Sequence, residues 1–371
     1  MEKKLYFKNL DASRFFAFLL VFLAHCFVAV DPEVRESGLF SSIYHWGKLG
    51  VLGLEYFFVL SSFLISTIIL EESSQNGDFH LPNFLLRRTL RVWPLYFLIV
   101  LLGYLVIGGA SFIHIVVSPL PPWPYLTFFV VNFYIIQYGT EFLFFIAFLW
   151  SISVEEQFYL LWSLVMKFAK VRFKSFCLFL ILTSLLFRYL YLDEDKSLYF
   201  HTVSTLGNFG VGGWLAWSVH KKRSIIDRMA DLKPAGSWAL YLILILSLAF
   251  YHQLMQWHVF KLFSRLYFSI LFAYLILNQS RGTYIPFEMG RWKVLDHLGK
   301  ISYGLYCYHG LVITLLILVI RLTGLHENYL TAFGIWPVLI FTVTVLLSRL
   351  SYRYFEGPFL KMKEGFYNFR P

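Results

Sequence analysis

The chain has 371 residues, 58% of them hydrophobic and 20% aromatic, with a net charge of +10 and a mean hydropathy of +0.63. A soluble domain of this length cannot hide that much apolar surface, and long uncharged runs recur along it, so the composition indicates an all-α, polytopic integral membrane protein. The alternating strands of a transmembrane barrel are absent, and the basic residues sit in short loops between apolar runs, where they set orientation; nucleic-acid binding is excluded as a function class.

The first apolar run, residues 11–30, follows the basic tail with Lys3, Lys4 and Lys8. It superficially resembles a signal peptide, but it carries Asp11 and Arg14 and lacks a small-residue cleavage site, so it reads as a retained helix. Arg14 and His25 are eleven residues apart, almost three turns, so they share one face at a separation of roughly 16 Å along the axis. Asp11 lies one turn before Arg14 on that face. Ionisable groups inside a spanning helix are expensive and point to function. The plainer alternative is an interfacial Asp11–Arg14 pair with His25 as a polar residue between helices.

The second span, about 49–70, holds Glu55. The third begins near Pro82 or Asn83, carries Arg87, Arg88 and Arg91 in its inner turns, and contains Pro94, which predicts a kink. That arginine cluster suits phosphate groups, which arginine holds through bidentate, charge-assisted contacts, or it serves only to fix topology. Residues 109–147 are proline-rich and then aromatic. A full crossing there would put Lys167, Lys170, Arg172 and Lys174 outside, so the stretch reads as re-entrant or interfacial on the outer side.

The fourth span, about 148–168, contains WSISVEEQFYLLW from Trp150. Two adjacent carboxylates, Glu155 and Glu156, are costly in an apolar helix unless paired with a cation or an imidazole. Further spans fall at about 175–191, 200–219, 237–252, 260–278, 297–320 and 331–352. Lys261 and Arg265 then lie on the outer side, against the positive-inside rule. ISYGLYCYHG, residues 301–310, sets Ser302, Tyr306 and His309 on one face, with Tyr303 beside them. Glu356 closes the last span and either pairs with a basic group or simply ends the helix. The three cysteines all lie in apolar segments with no disulfide or metal-site spacing. The sum is about ten transmembrane helices in one domain over residues 1–371, with both termini cytoplasmic. Entering from the outer side, Trp150, Glu155 and Glu156 would reach the depth of His25, so histidine and carboxylate would meet in one intramembrane cavity.

These elements carry a resemblance over essentially the whole length. Leu10, Asp11, Arg14 and His25; FFVLSSFL from Phe57 to Leu64; Arg87, Arg88, Arg91 and Pro94; WSISVEEQFYLLWS from Trp150; Ile301 to His309; and Phe355, Glu356 and Pro358 occur in the order of the motifs of the membrane-bound acyltransferase-3 family, which the chain resembles. Ser62 stands where the family usually has glycine, which predicts looser helix packing there. Ser163 and Cys307 are two further departures.

The resemblance implies transfer of an acyl group, usually acetyl, from cytoplasmic acyl-CoA to a hydroxyl of a cell-envelope sugar, polysaccharide or glycolipid, in the cytoplasmic membrane of a bacterium. Acyl-CoA enters as co-substrate; no tightly bound cofactor and no metal is implied. The catalytic set is then His25, as general base or transient acyl carrier, Glu155 or Glu156 orienting its ring, and Arg14 on the donor. Glu155 is favoured because Tyr159 and Trp162 continue its face. Asp11, Arg87, Arg88, Arg91, Trp150, Ser302, Tyr303, Tyr306, His309 and Glu356 form the binding set. The rival class is a secondary transporter, or a flippase of lipid-linked substrates, which intramembrane charges also suit.

Overall fold

The computed structural model describes residue 7 and residues 9–112, 118–142, 144–168 and 172–366. Lys3, Lys4, Lys8, Lys170 and Arg370, and part of the 109–147 stretch, lie outside them. Among the described residues all regular structure is helical. Ten helices correspond to the ten expected crossings: α1 Leu10–His25, α2 Gly50–Asn76, α3 Leu81–Phe112, α4 Leu149–Phe168, α5 Phe173–Leu190, α6 Thr202–His220, α7 Pro234–Ala249, α8 His258–Arg281, α9 Ser302–Thr323 and α10 Trp336–Leu350.

Length and apolarity qualify fewer of them. Among the described residues seven helices are long and apolar enough to cross a membrane, or eight with the pair Ser224–Ala230 and Pro234–Ala249, bent by 85°. The two others, α1 with 16 residues and α6 with 19, are short or rich in glycine and serine and bury most of their surface inside the bundle. A helix shielded from lipid by its neighbours does not need the continuous apolar run that a lipid-facing span needs.

Small residues bring these inner helices close. A β-carbon on Gly53 would collide with the Ala17 carbonyl of α1, and one on Gly212 with the Val59 carbonyl of α2. Between them Ser62 is fully buried, and its hydroxyl donates to the Phe209 carbonyl at 2.5 Å. The looser packing predicted there does not occur: Gly212 takes the close approach, and the hydroxyl of Ser62 bonds the helix it faces.

Other boundaries shift for local reasons. α3 continues through Pro94 as one helix. Residues 293–300 form a separate helix, Lys293–Lys300, packed on α1 through Gly299, which abuts the Asp11 backbone; the ninth span therefore starts at Ser302. Within the proline-rich stretch lie three short helices, Trp123–Thr127, Val131–Tyr138 and Phe144–Ala147, none long enough to cross. Tyr96 donates to the Leu126 carbonyl at 2.8 Å and Gln157 to the Phe129 carbonyl at 2.7 Å, which ties this segment to α3 and α4.

Candidate active site

Helices α1, α2, α3, α4 and α9 enclose a cavity of about 240 Å³. Arg14, Arg87, Arg88 and Arg91 line it together with Lys363 from the terminal helix Gly357–Glu364, so the lining is strongly basic. Arg14 is ion-paired with Asp11, one turn earlier on α1, as the spacing predicts; Asp11 itself does not line the cavity. The Arg88 guanidinium lies over the rings of Phe84 and Tyr159, 5.7 and 5.8 Å from their centroids, a pair of cation–π contacts.

Arg87 differs from its two neighbours. It is 1% exposed and bonds the Glu72 carboxylate at 3.0 Å and the Phe366 carbonyl at 2.7 Å. Its fork joins α2, α3 and Phe366, yet Arg87 also lines the cavity beside Arg88 and Arg91, so all three arginines of the cluster border it as expected.

Among the described residues the single carboxylate lining the cavity is Glu155. It accepts hydrogen bonds from Ser61 at 3.0 Å and from Tyr159 at 2.9 Å. Glu156, the next residue, points about 100° away around α4 and accepts from the Trp93 indole at 2.8 Å, outside the cavity lining. From α9, Ser302, Tyr303 and Tyr306 complete the wall. Tyr303 donates to the Val92 carbonyl at 2.8 Å. Tyr306 donates to the Phe148 carbonyl at 3.0 Å, and its hydroxyl lies 2.7 Å from that of Ser151.

Beyond Tyr306 lie two imidazoles. His309 is one turn farther along α9 and wholly buried; its ring centroid is 5.6 Å from Tyr306 and 5.7 Å from His25. Phe148 packs against both, at 4.7 Å from His25 and 4.5 Å from His309. His25 Nδ1 lies 2.7 Å from the Val21 carbonyl, and His309 Nδ1 2.6 Å from the Tyr306 carbonyl. A carbonyl only accepts, so each Nδ1 carries its hydrogen and each neutral ring presents a lone pair at Nε2. The buried Nε2 of His309 has no hydrogen-bond partner.

The expected meeting of His25 with Glu155 or Glu156 is therefore not formed. Both carboxylates are bonded elsewhere, and the Tyr306 and Phe148 rings stand between the cavity and the two histidines. The Val21 carbonyl holds the His25 ring in the manner expected of a carboxylate, and His309 is its titratable neighbour. Two more residues of the expected binding set fall outside the cavity lining. Trp150 is core, packed against Tyr199 and Phe200 at ring distances of 5.1 and 5.0 Å. Glu356 accepts from Ser351 at 2.8 Å inside a helical stretch that runs on from α10 into Gly357–Glu364, so it does not end the helix as the plainer reading had it.

Four contributors were not identified from sequence. Ser61 and Ser151 lie inside recognised segments, but a serine in an apolar helix has many uses. Lys363 belongs to a basic tail with no motif spacing. Glu327, in the loop after α9, is buried and accepts from the Val30 and Asp31 amides at 2.7 Å each, fixing the chain that leaves His25. Only the tertiary structure brings it there.

Comparison with known proteins bears on the same residues. The acyltransferase domain family model of the acyltransferase-3 type matches residues 7–352. The peptidoglycan O-acetyltransferase OatA of Listeria monocytogenes is 28% identical over 349 residues, covering 88% of this chain and 53% of that protein. The O-acetyltransferase OatA of Staphylococcus aureus is 28% identical over 353 residues, covering 87% and 55%. The chain thus spans about half the length of the curated relatives it matches. No solved structure matches it. A bundle of apolar helices around a basic cavity, matched from its seventh residue almost to its end, is a multi-pass membrane protein and belongs to the acyltransferase-3 family.

Proposed function

We propose that the chain is a membrane O-acyltransferase that moves an acyl group, acetyl by its relatives' names, from acyl-CoA to a hydroxyl of a cell-envelope polymer such as peptidoglycan. The observation that carries this is the cavity itself: basic through Arg14, Arg87, Arg88, Arg91 and Lys363, and walled by Tyr306, one helical turn from His309, whose ring neighbours that of His25. The cations suit the phosphates of the donor nucleotide, because charge-assisted contacts to phosphate are the strongest hydrogen bonds arginine makes. The thioester arm extends past Glu155 toward Tyr306. A swing of the Tyr306 and Phe148 rings joins the cavity to the histidines.

Half-buried His25 is then the general base. Its Nε2 takes the proton of the acceptor hydroxyl as that oxygen bonds to the acyl carbon; the carbon–sulfur bond breaks and CoA leaves, taking up a proton. Attack by Nε2 on the thioester first, with an acyl-imidazole intermediate, uses the same atoms in two steps. His309 positions the first ring. Glu155 balances the charge of Arg14, Arg88 and Arg91, and keeps the cavity from being purely cationic. The reading also takes the protein to lie in the cytoplasmic membrane of a bacterium with the basic side chains of its cavity toward the donor.

The test is release of CoA by the purified full chain from labelled acetyl-CoA, with and without a peptidoglycan or polysaccharide acceptor. Acceptor-dependent release with label recovered in the glycan supports transfer. Uptake of substrate into vesicles with no CoA consumed would replace it with transport.

A further inference from the structure

A second groove lies on the outside of the bundle, between the helix Lys293–Lys300 and α10, with a volume of about 490 Å³. One of its walls is a single face of α10: Phe341, Val345 and Arg349 follow one another at four-residue intervals. The other carries Lys293 and His297, also four apart. Lys293 and His297 from one wall and Arg349 from the other bring basic side chains to the groove, while Phe341 lies eight residues from Arg349, roughly 12 Å along the axis. That distance is comparable to the hydrocarbon depth of one leaflet, about 15 Å. Among the described residues no carboxylate lines the groove; α10 has none, and Asp296, the acid of the short helix, is paired with Lys300 at 2.8 Å.

We propose that this groove seats one anionic phospholipid, its phosphate on Lys293, His297 and Arg349 and an acyl chain along Phe341, Val345 and Leu346. Charge complementarity selects the occupant. A zwitterionic headgroup brings its own cation against a site with two fixed positive charges, and an apolar partner helix would bury those charges unpaired. The apolar walls select a lipid over free phosphate: Leu346 is 53% exposed and Val294 69%, on a surface that water would not wet favourably. Setting orientation explains the charges but not the apolar trough that continues from them. The proposal is independent of the reading of the internal cavity.

The experiment is native mass spectrometry of the full chain after reconstitution in nanodiscs of phosphatidylcholine with phosphatidylglycerol, followed by transfer to detergent. One phosphatidylglycerol should be retained in preference to phosphatidylcholine. Lys293→Ala with Arg349→Ala should lower retention about thirtyfold, from about fivefold per basic side chain at a membrane surface. Leu346→Trp, which fills the trough and leaves the charges, should lower it as well, whereas Arg321→Ala on α9 should not. Equal retention of the two lipids by the wild type, or unchanged phosphatidylglycerol retention in either groove variant, would overturn the proposal. If only the charge variant loses lipid, the attraction is diffuse and no lipid is seated.

Discussion

Two clusters of charge lie inside this bundle, and they are built differently. One is the cavity site of Arg14, Arg88, Arg91 and Glu155. The other joins Glu55 of α2, Arg188 of α5 and Arg265 of α8, each 3–4% exposed. Arg265 lies 3.5 Å from Glu55 and donates to the Leu198 and Tyr199 carbonyls at 3.0 and 3.1 Å. Arg188 donates to the Leu262 carbonyl at 2.9 Å, to Ser264 at 3.0 Å and to the Lys261 carbonyl. This second cluster lines neither the internal cavity nor the outer groove; its cations bind carbonyls and hold helices together. A charge in the membrane signals a special site, but adjoining space separates a place for substrate from an internal fastener. Both residues expected to break the positive-inside rule have acidic partners: Arg265 lies against Glu55, and Lys261 is paired with Asp195 at 2.9 Å.

The comparison breaks first at His25. His25→Ala should abolish transfer, with a loss of about 10³-fold or more for a missing general base, while the protein inserts and melts as the wild type does. Acceptor-dependent CoA release by purified variant measures it, and full activity would remove the ring from the chemistry. Next is the fastener. Arg265→Met leaves Glu55 buried without its cation and should cost about 3 kcal/mol of stability in detergent, with turnover per folded molecule unchanged. A stably folded but inactive Arg265→Met variant would move that cluster into the site.

Within the cavity the effects are smaller. Glu155→Gln keeps the hydrogen bonds of Ser61 and Tyr159 in reach but removes the negative charge among the arginines. It should lower kcat/KM about thirtyfold, near the 2 kcal/mol low end for a buried charge partner. Glu156→Gln, outside the lining, should do less, and equal losses would mean that both carboxylates reach the substrate. Arg91→Ala should raise the donor KM about tenfold with kcat little changed, the signature of a lost charge-assisted contact. An unchanged KM would return Arg91 to a role in topology.

The helices and most of the cavity were legible in the sequence because they rest on local rules. Apolar runs set the spans, and the Asp11–Arg14 spacing sets a pair on one face that the structure contains. Arg88, Arg91, Glu155, Ser302, Tyr303 and Tyr306 were singled out and converge. What failed were inferences about partners across helices. Helical spacing locates Glu155 at a depth, but the rotation of α4 relative to α1 decides what it meets, and that rotation depends on packing between helices, such as Gly213 of α6 against Trp162 of α4. Trp150 shows the same limit: its face was readable, but its burial against Tyr199 and Phe200 was not.

The smallest expected effect extends the comparison to an ion pair in water. Asp78, between α2 and α3, pairs with Lys167 of α4 at 2.5 Å, and Asp78 is 61% exposed. The hydrogen bond from Lys167 holds the Asp78 carboxyl below the ordinary aspartate range. Its contribution is therefore present above the unfolded value, near pH 4, and is lost as pH falls through the lower folded value. Solvent and salt screen a pair this exposed, so Asp78→Asn should change stability by less than about 1 kcal/mol at neutral pH, and not at all once the carboxyl is protonated in both states. Thermal unfolding of both proteins in detergent at neutral pH and at successively lower pH, until the difference between them stops changing, measures it. A loss as large as that of Arg265→Met would show that this bridge holds α2, α3 and α4 in place as the buried cluster does, and that exposure is a poor guide to which charges fasten this bundle.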